Sequence, residues 1–242
     1  MINDFILVNK EVFTKTKKTI TNNWQILLMG FVYSIIGIGS LFILRILLSG
    51  PIGIFGGIIT VIVESAIISS YLFVLENVLT YGRFRIRDIK NGFTYYLWKI
   101  YGVIFLFFII NLVLGLLSNI IGSGIAWLQV IIYIGAVIFL NPLPETIYTK
   151  SLDTWESVQS SIEFIKENWF NWLLPNLVFL IVLISLSFKP FGLRMFLFRI
   201  RGGILTYAIT AILISIIMIY RGHLYKILSG STARKRQFMR KM

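Results

Sequence analysis

Apolar residues in this chain fall into six long runs, at about 24–48, 58–81, 100–121, 125–147, 170–188 and 203–222. A helix of about 20 apolar residues is long enough to cross the roughly 30 Å hydrocarbon layer of a membrane. The short gaps at 49–57 and 122–124 predict turns, so that consecutive runs pair as hairpins. The pattern predicts an all-α, multi-pass membrane protein with six transmembrane helices arranged as three hairpins.

A second pattern, apolar residues at positions i, i+3, i+7 and i+10, precedes every other run. It is formed by Trp155, Val158, Ile162 and Ile165. It recurs at Ile86, Ile89, Phe93 and Tyr96. A looser copy, with Lys15 in the fourth position, begins with Phe5, Val8 and Val12. This spacing is typical of an amphipathic helix lying along a membrane surface, so we expect one interfacial helix ahead of each hairpin.

Three tryptophans mark the starts of the first, third and fifth runs. Trp24, Trp98 and Trp169 are separated by 74 and 71 residues, and tryptophan favours the depth of the lipid headgroups. This spacing indicates an internal repeat. We expect a single membrane domain over 1–242, with repeat units at about 1–81, 82–150 and 151–226 and a basic tail at 227–242.

Composition supports a membrane location. The sequence is 57% hydrophobic and only 14% charged, which is too little polar surface for a soluble domain of 242 residues. It contains no cysteine, which excludes disulfides, cysteine-ligated zinc and thiol catalysis.

The basic residues predict the orientation. Of 23 Lys and Arg residues, only five fall on the side opposite to both termini: Arg45, Lys189, Arg194, Arg199 and Arg201. Positive charge collects on the cytoplasmic side, so we expect both termini in the cytoplasm of a bacterial cell. The tail "ARKRQFMRKM" is then expected to attract anionic lipid headgroups rather than nucleic acid.

Four ionisable residues lie within or near the predicted spans: Arg45, Glu64, Glu76 and Glu145. Such residues are costly in lipid and are candidates for function. If the second helix begins near Ile58, Glu64 lies at the depth of Arg45 and the two form an ion pair. Alternatively, Arg45 extends to the surface while Glu64 is protonated or bonded to a neighbour, or the site handles an ion or proton.

Glu145 follows the sequence "NPLP", in which Pro142 and Pro144 interrupt the fourth span. Proline removes a helical hydrogen bond. The prolines therefore either kink or end the span, or open it to line a cavity.

One predicted outer loop, 189–203, has four basic residues among large apolar ones and no acid. Its cations are Lys189, Arg194, Arg199 and Arg201. The loop either anchors a hairpin to the outer leaflet or binds an anionic amphiphile.

Two segments carry a resemblance to a known group. They contain Gly82, Asp88, Ile89, Gly92 and Phe93, and then Ser160, Ser161, Asn168 and Trp169. In these positions the chain resembles uncharacterised six-span bacterial membrane proteins, a group that includes the membrane domain of some glycerophosphoryl diester phosphodiesterases. The resemblance implies a six-span fold in the bacterial cytoplasmic membrane. It does not imply phosphodiesterase activity, which belongs to a separate soluble domain.

No catalytic, cofactor or nucleotide motif is found, and His223 is the only histidine. We therefore expect a non-enzymatic membrane protein without a cofactor, acting in envelope upkeep or stress through contact with lipids or amphiphiles. The alternative is the permease subunit of an exporter that is driven by a separate ATPase. The expected partners are a bilayer with anionic headgroups, and such an ATPase or a second copy of the chain.

Overall fold

The computed structural model of the chain describes residues 2–49, 53, 55–121, 126–187, 197, 203–231 and 235–236. Across these residues the secondary structure is helical, without a strand, which confirms the all-α prediction. The helices are α1 (Ile2–Asn22), α2 (Met29–Leu47), α3 (Gly56–Tyr81), α4 (Ile86–Tyr95), α5 (Leu97–Ile121), α6 (Ala126–Phe139), α7 (Leu143–Thr149), α8 (Thr154–Ser187) and α9 (Ile204–Gly230). A short 3-10 helix, Trp24–Leu28, leads into α2.

Five helical stretches in the described part of the chain are long and apolar enough to cross a membrane. They are Trp24–Leu47, Gly56–Tyr81, Leu97–Ile120, Thr154–Ser185 and Leu205–Gly230. Helices α6 and α7, which meet at a bend of 42°, add a sixth if the pair counts as one span. These helices are consistent with the predicted multi-pass membrane protein.

The bend between α6 and α7 follows from the two prolines. Pro142 caps the start of α7, and Pro144 lies in its first turn, where a missing N–H costs no hydrogen bond. The residue before a proline disfavours helical backbone, so α6 cannot continue through Asn141. The prolines thus divide this stretch into two helices at an angle.

Helices α3 and α9 lie at the centre, and α2 packs closely on α9. Half or more of each central helix is buried, against 11% for α5. The N–H of Gly30 donates to Ser215 Oγ at 3.1 Å. A Cβ at Gly30 would lie 2.5 Å from the carbonyl oxygen of Ala211, so only glycine allows this approach.

Helices α1, α4 and α8 pack on the central helices. Val8 and Val12 of α1 are fully buried in a cluster that includes Leu224 of α9. In α4, the carbonyls of Ile89 and Gly92 accept hydrogen bonds from two serines in the middle of α3. Helix α8 is kinked at Asn168, one residue before Trp169.

The two ends of the chain meet. Asp4, near the start of α1, forms an ion pair of 2.9 Å with Arg236, and both side chains are buried. Asn171 of α8 also donates to Asp4, at 3.3 Å. The contact joins the first helix, the fifth span and the C-terminal region.

Candidate functional site

A second ion pair in the interior joins α7 to α9. Glu145 is completely buried, and its Oε1 accepts a hydrogen bond from Arg221 Nε at 2.7 Å. Its Oε2 accepts from Arg221 Nη2 at 2.9 Å. This bidentate geometry is the strongest arrangement for an arginine and a carboxylate. The proline bend places Glu145 in the first turn of α7, where it faces α9.

Two further residues, Trp172 and Asn141, contact Arg221. The guanidinium carbon of Arg221 lies 5.2 Å from the centre of the Trp172 ring, which is a cation–π contact. Trp172 Nε1 donates to Asn141 Oδ1 at 2.9 Å, and Arg221 also donates to the Asn141 carbonyl at 2.6 Å. Both carboxylate oxygens thus accept hydrogen bonds from Arg221. Together with Trp172, the ion pair connects α7, α8 and α9.

Tyrosines line the region around the ion pair. The hydroxyls of Thr146 and Tyr225 lie 2.9 Å apart, within hydrogen-bonding distance. The hydroxyl of Tyr148 is buried with no hydrogen-bond partner among the described residues. A Cβ on Gly222 would meet the end of the Leu79 side chain and lie 2.7 Å from this hydroxyl, so a larger residue there would require these side chains to shift.

Glu76 has a different partner. The hydroxyl of Tyr96 donates to Glu76 Oε2. Burial, and then the Glu76 carboxylate, raise the pKa of Tyr96 above its usual value, because both disfavour a phenolate. Tyr96 therefore keeps its proton and remains a donor. Lys99 lies nearby, with its ammonium 5.7 Å from the centre of the Tyr96 ring.

No salt bridge joins the described side chains of Arg45 and Glu64, so the ion pair, one of the alternatives that the sequence leaves open, is not seen between them. Arg45 is exposed in the last turn of α2, whereas Glu64 is buried on the inward side of α3. The sequence argument matched their depths but not the sides of the helices on which they lie. A cation in the last turn is also favoured by the helix dipole.

The four cations of the predicted outer loop, Lys189, Arg194, Arg199 and Arg201, lie outside the described residues. The expectation that they contact an anionic amphiphile therefore stays a prediction. Within the described residues, no three His, Asp or Glu side chains come together as a metal site.

Sequence reasoning missed Arg221, Trp172, Asn141 and Tyr96. The count of basic residues places Arg221 among the cytoplasmic cations and not in the interior. One signal was present, because Arg221 directly follows an apolar run and a buried carboxylate elsewhere in the chain needs a cation. Nothing in the sequence shows which of several cations Glu145 contacts.

No protein-family model, curated protein or solved structure matches this chain.

Proposed function

We propose that the chain is a non-enzymatic, six-span protein of the bacterial cytoplasmic membrane that acts in envelope upkeep or stress through contact with lipids or amphiphiles. The observation that carries the proposal is the outward surface of the spans. Helices α5 and α6 present large exposed apolar side chains along their lengths, among them Phe108, Leu116, Ile131 and Val137. Apolar surface of this extent is stable only against lipid or another apolar partner.

The tryptophans at the starts of the spans support lipid contact at headgroup depth. Trp24, Trp98 and Trp169 are 60%, 71% and 56% exposed. An exposed indole gains most at the boundary of lipid and water, where its ring is in lipid and its N–H reaches water. These positions support interfacial segments at α1, α4 and the first part of α8.

The contact between the chain ends supports six crossings. Asp4 and Arg236 touch, which supports a topology with the N-terminal helix and the C-terminal region on one side of the membrane. An even number of crossings must connect them. Five crossings would separate them, so the contact favours a sixth crossing formed by α6 and α7 together as one bent span.

Other contacts support a common side of the membrane for several segments. Thr19 of α1 lies 2.8 Å from His223 of α9, and Asn23 Nδ2 donates to the Gly82 carbonyl at 3.0 Å. Thr154 donates to the Lys99 carbonyl at 3.5 Å. Each of these contacts joins two segments that are expected on the cytoplasmic side. The excess of Lys and Arg there supports the cytoplasmic assignment.

Native mass spectrometry of the protein, gently solubilised from its own membranes, tests the proposal. We expect retained lipid or another amphiphile and no ATPase subunit. A stoichiometric ATPase would contradict the proposal and favour the permease of an exporter. Protein that retains no amphiphile would also contradict it.

A further inference from the structure

Three arginines lie close together in the sequence where α3 is followed by α4, two in the link and Arg87 in the first turn of α4. Arg83, Arg85 and Arg87 are all exposed. No acidic side chain in the described part of the chain forms a salt bridge with any of them. Asp88 is the one acid in the segment, and it lies in the first turn of α4. The segment therefore carries a concentrated positive charge that the described residues do not neutralise by ion pairing.

The backbone of this segment is held in place by Asn23. Asn23 Nδ2 donates to the carbonyl of Gly82, and Asn23 Oδ1 accepts from the N–H of Phe84, both at 3.0 Å. Gly82 ends α3 with φ of 65°, a left-handed conformation that favours glycine. A buried amide thus fixes the course of the loop at two points.

The same course turns the arginines outward. Phe84 packs against the central apolar cluster. Arg85 is extended, and in extended backbone alternate side chains point to opposite sides. Phe84 points inward, so its two neighbours in sequence, Arg83 and Arg85, both point away from the protein. The arginines therefore project from a fixed backbone.

The surroundings of the arginines are apolar and exposed. Tyr81 is 64% exposed and carries the Arg83 guanidinium 5.6 Å from its ring centre. Ile86 is 78% exposed. Exposed apolar side chains beside cations suit a membrane surface. There the apolar side chains insert among acyl chains and the cations contact phosphates.

We infer that segment 82–87 is a binding site for the phosphate of an anionic phospholipid headgroup, with Arg83, Arg85 and Arg87 as its donors. The inference rests on the proposed function and names the lipid class of that contact. Guanidinium groups bind phosphate through paired hydrogen bonds, which lysine cannot match. Asn23 is a positioning residue, since it holds the loop without itself reaching the phosphate.

The test compares two variants of the full chain with equal net charge. R83Q/R85Q/R87Q removes the proposed donors. K10Q/K17Q/K18Q removes three exposed lysines from α1, on the same side of the membrane. Each protein in detergent is titrated with phosphatidylglycerol and, separately, phosphatidylcholine, and bound lipid is counted by native mass spectrometry. Unfolding temperatures without added lipid establish that both variants are folded.

We expect the wild-type protein and the lysine variant to prefer phosphatidylglycerol. The arginine variant should lose this preference by about tenfold or more, which is the effect of losing a hydrogen bond between charged groups. Asn23→Ala, which keeps all three arginines, should lose part of the preference.

Equal losses in the two triple variants would overturn the inference, because they would show only diffuse attraction. Displacement of the lipid by millimolar inorganic phosphate would also overturn it, because the site would then bind a free anion. In both cases the wild-type protein still binds lipid, and the proposed function stands. A wild-type protein that binds neither lipid would overturn both.

Discussion

Glu145 and Arg221, 76 positions apart in the sequence, form a two-point ion pair in the interior of the protein. The pair joins the helix that follows the proline bend to the last span. Trp172 covers the guanidinium from a third helix. Removing water from two charges is costly, so the contact stabilises the fold only while both partners are present.

We therefore expect Glu145→Gln and Arg221→Gln each to lower the free energy of unfolding by about 3–5 kcal/mol, because each leaves a buried charge without its partner. The double variant should be less destabilised than the sum of the two single variants. Thermal unfolding in detergent measures this. Arg45→Gln, which removes an exposed cation, is the control and should have little effect. Additive losses in the double variant would show that the two side chains are not coupled.

Packing of α2 on α9 depends on one glycine. Gly30→Ala should destabilise the protein by about 1–3 kcal/mol, because the new methyl group would overlap the backbone of Ala211. Gly39 lies in the same helix, and a Cβ added there would meet no neighbouring atom within 4 Å. Gly39→Ala should leave the unfolding temperature unchanged or raise it, since alanine favours helix. Equal effects of the two substitutions would show that close approach at Gly30 does not limit this interface.

The contact of Asp4 with Arg236 should hold α1 against the C-terminal region. Asp4→Asn removes the charge, and hydrogen bonds to charged groups are worth about 1.5–3 kcal/mol. We expect this loss of free energy to make hydrogen exchange in α1 faster by about tenfold or more, while exchange in α3 is unchanged. Lys15→Gln is the control, because its pair with Glu11 is exposed and worth only about 0.3–0.5 kcal/mol. Unchanged exchange in Asp4→Asn would show that the ion pair does not hold α1.

The apolar runs predicted the helices well because crossing a membrane imposes a length that the sequence must carry. The kink at Asn168 lies two residues before the predicted start of the fifth span, and the bend of the fourth span lies at its prolines. The kink and the bend can both be predicted from local sequence, since each depends on residues within one turn of each other.

The candidate site was harder to predict, because it depends on which sides of different helices face each other. Equal depth did not bring Arg45 to Glu64. Glu145 was singled out from its own surroundings, but its partner is set by the packing of α7 on α9. Periodicity places a residue on one side of its helix and does not say which helix lies opposite.

Labelling of single cysteines tests the membrane topology, on which the proposed function depends, most directly. The sequence contains no cysteine, so each introduced thiol is the only one. Thr14→Cys, Thr94→Cys and Ser151→Cys lie at exposed positions at or near the start of each repeat unit, and Ser49→Cys lies beyond α2. The reagent is a membrane-impermeant maleimide added to right-side-out vesicles.

We expect the maleimide to label Ser49→Cys in intact vesicles and the other three variants only after the membrane is opened. This result would place all three units on the cytoplasmic side, as six crossings require. Labelling of Thr14→Cys and Ser151→Cys from opposite sides would contradict this topology, because α1 and the start of α8 would then be separated by the membrane.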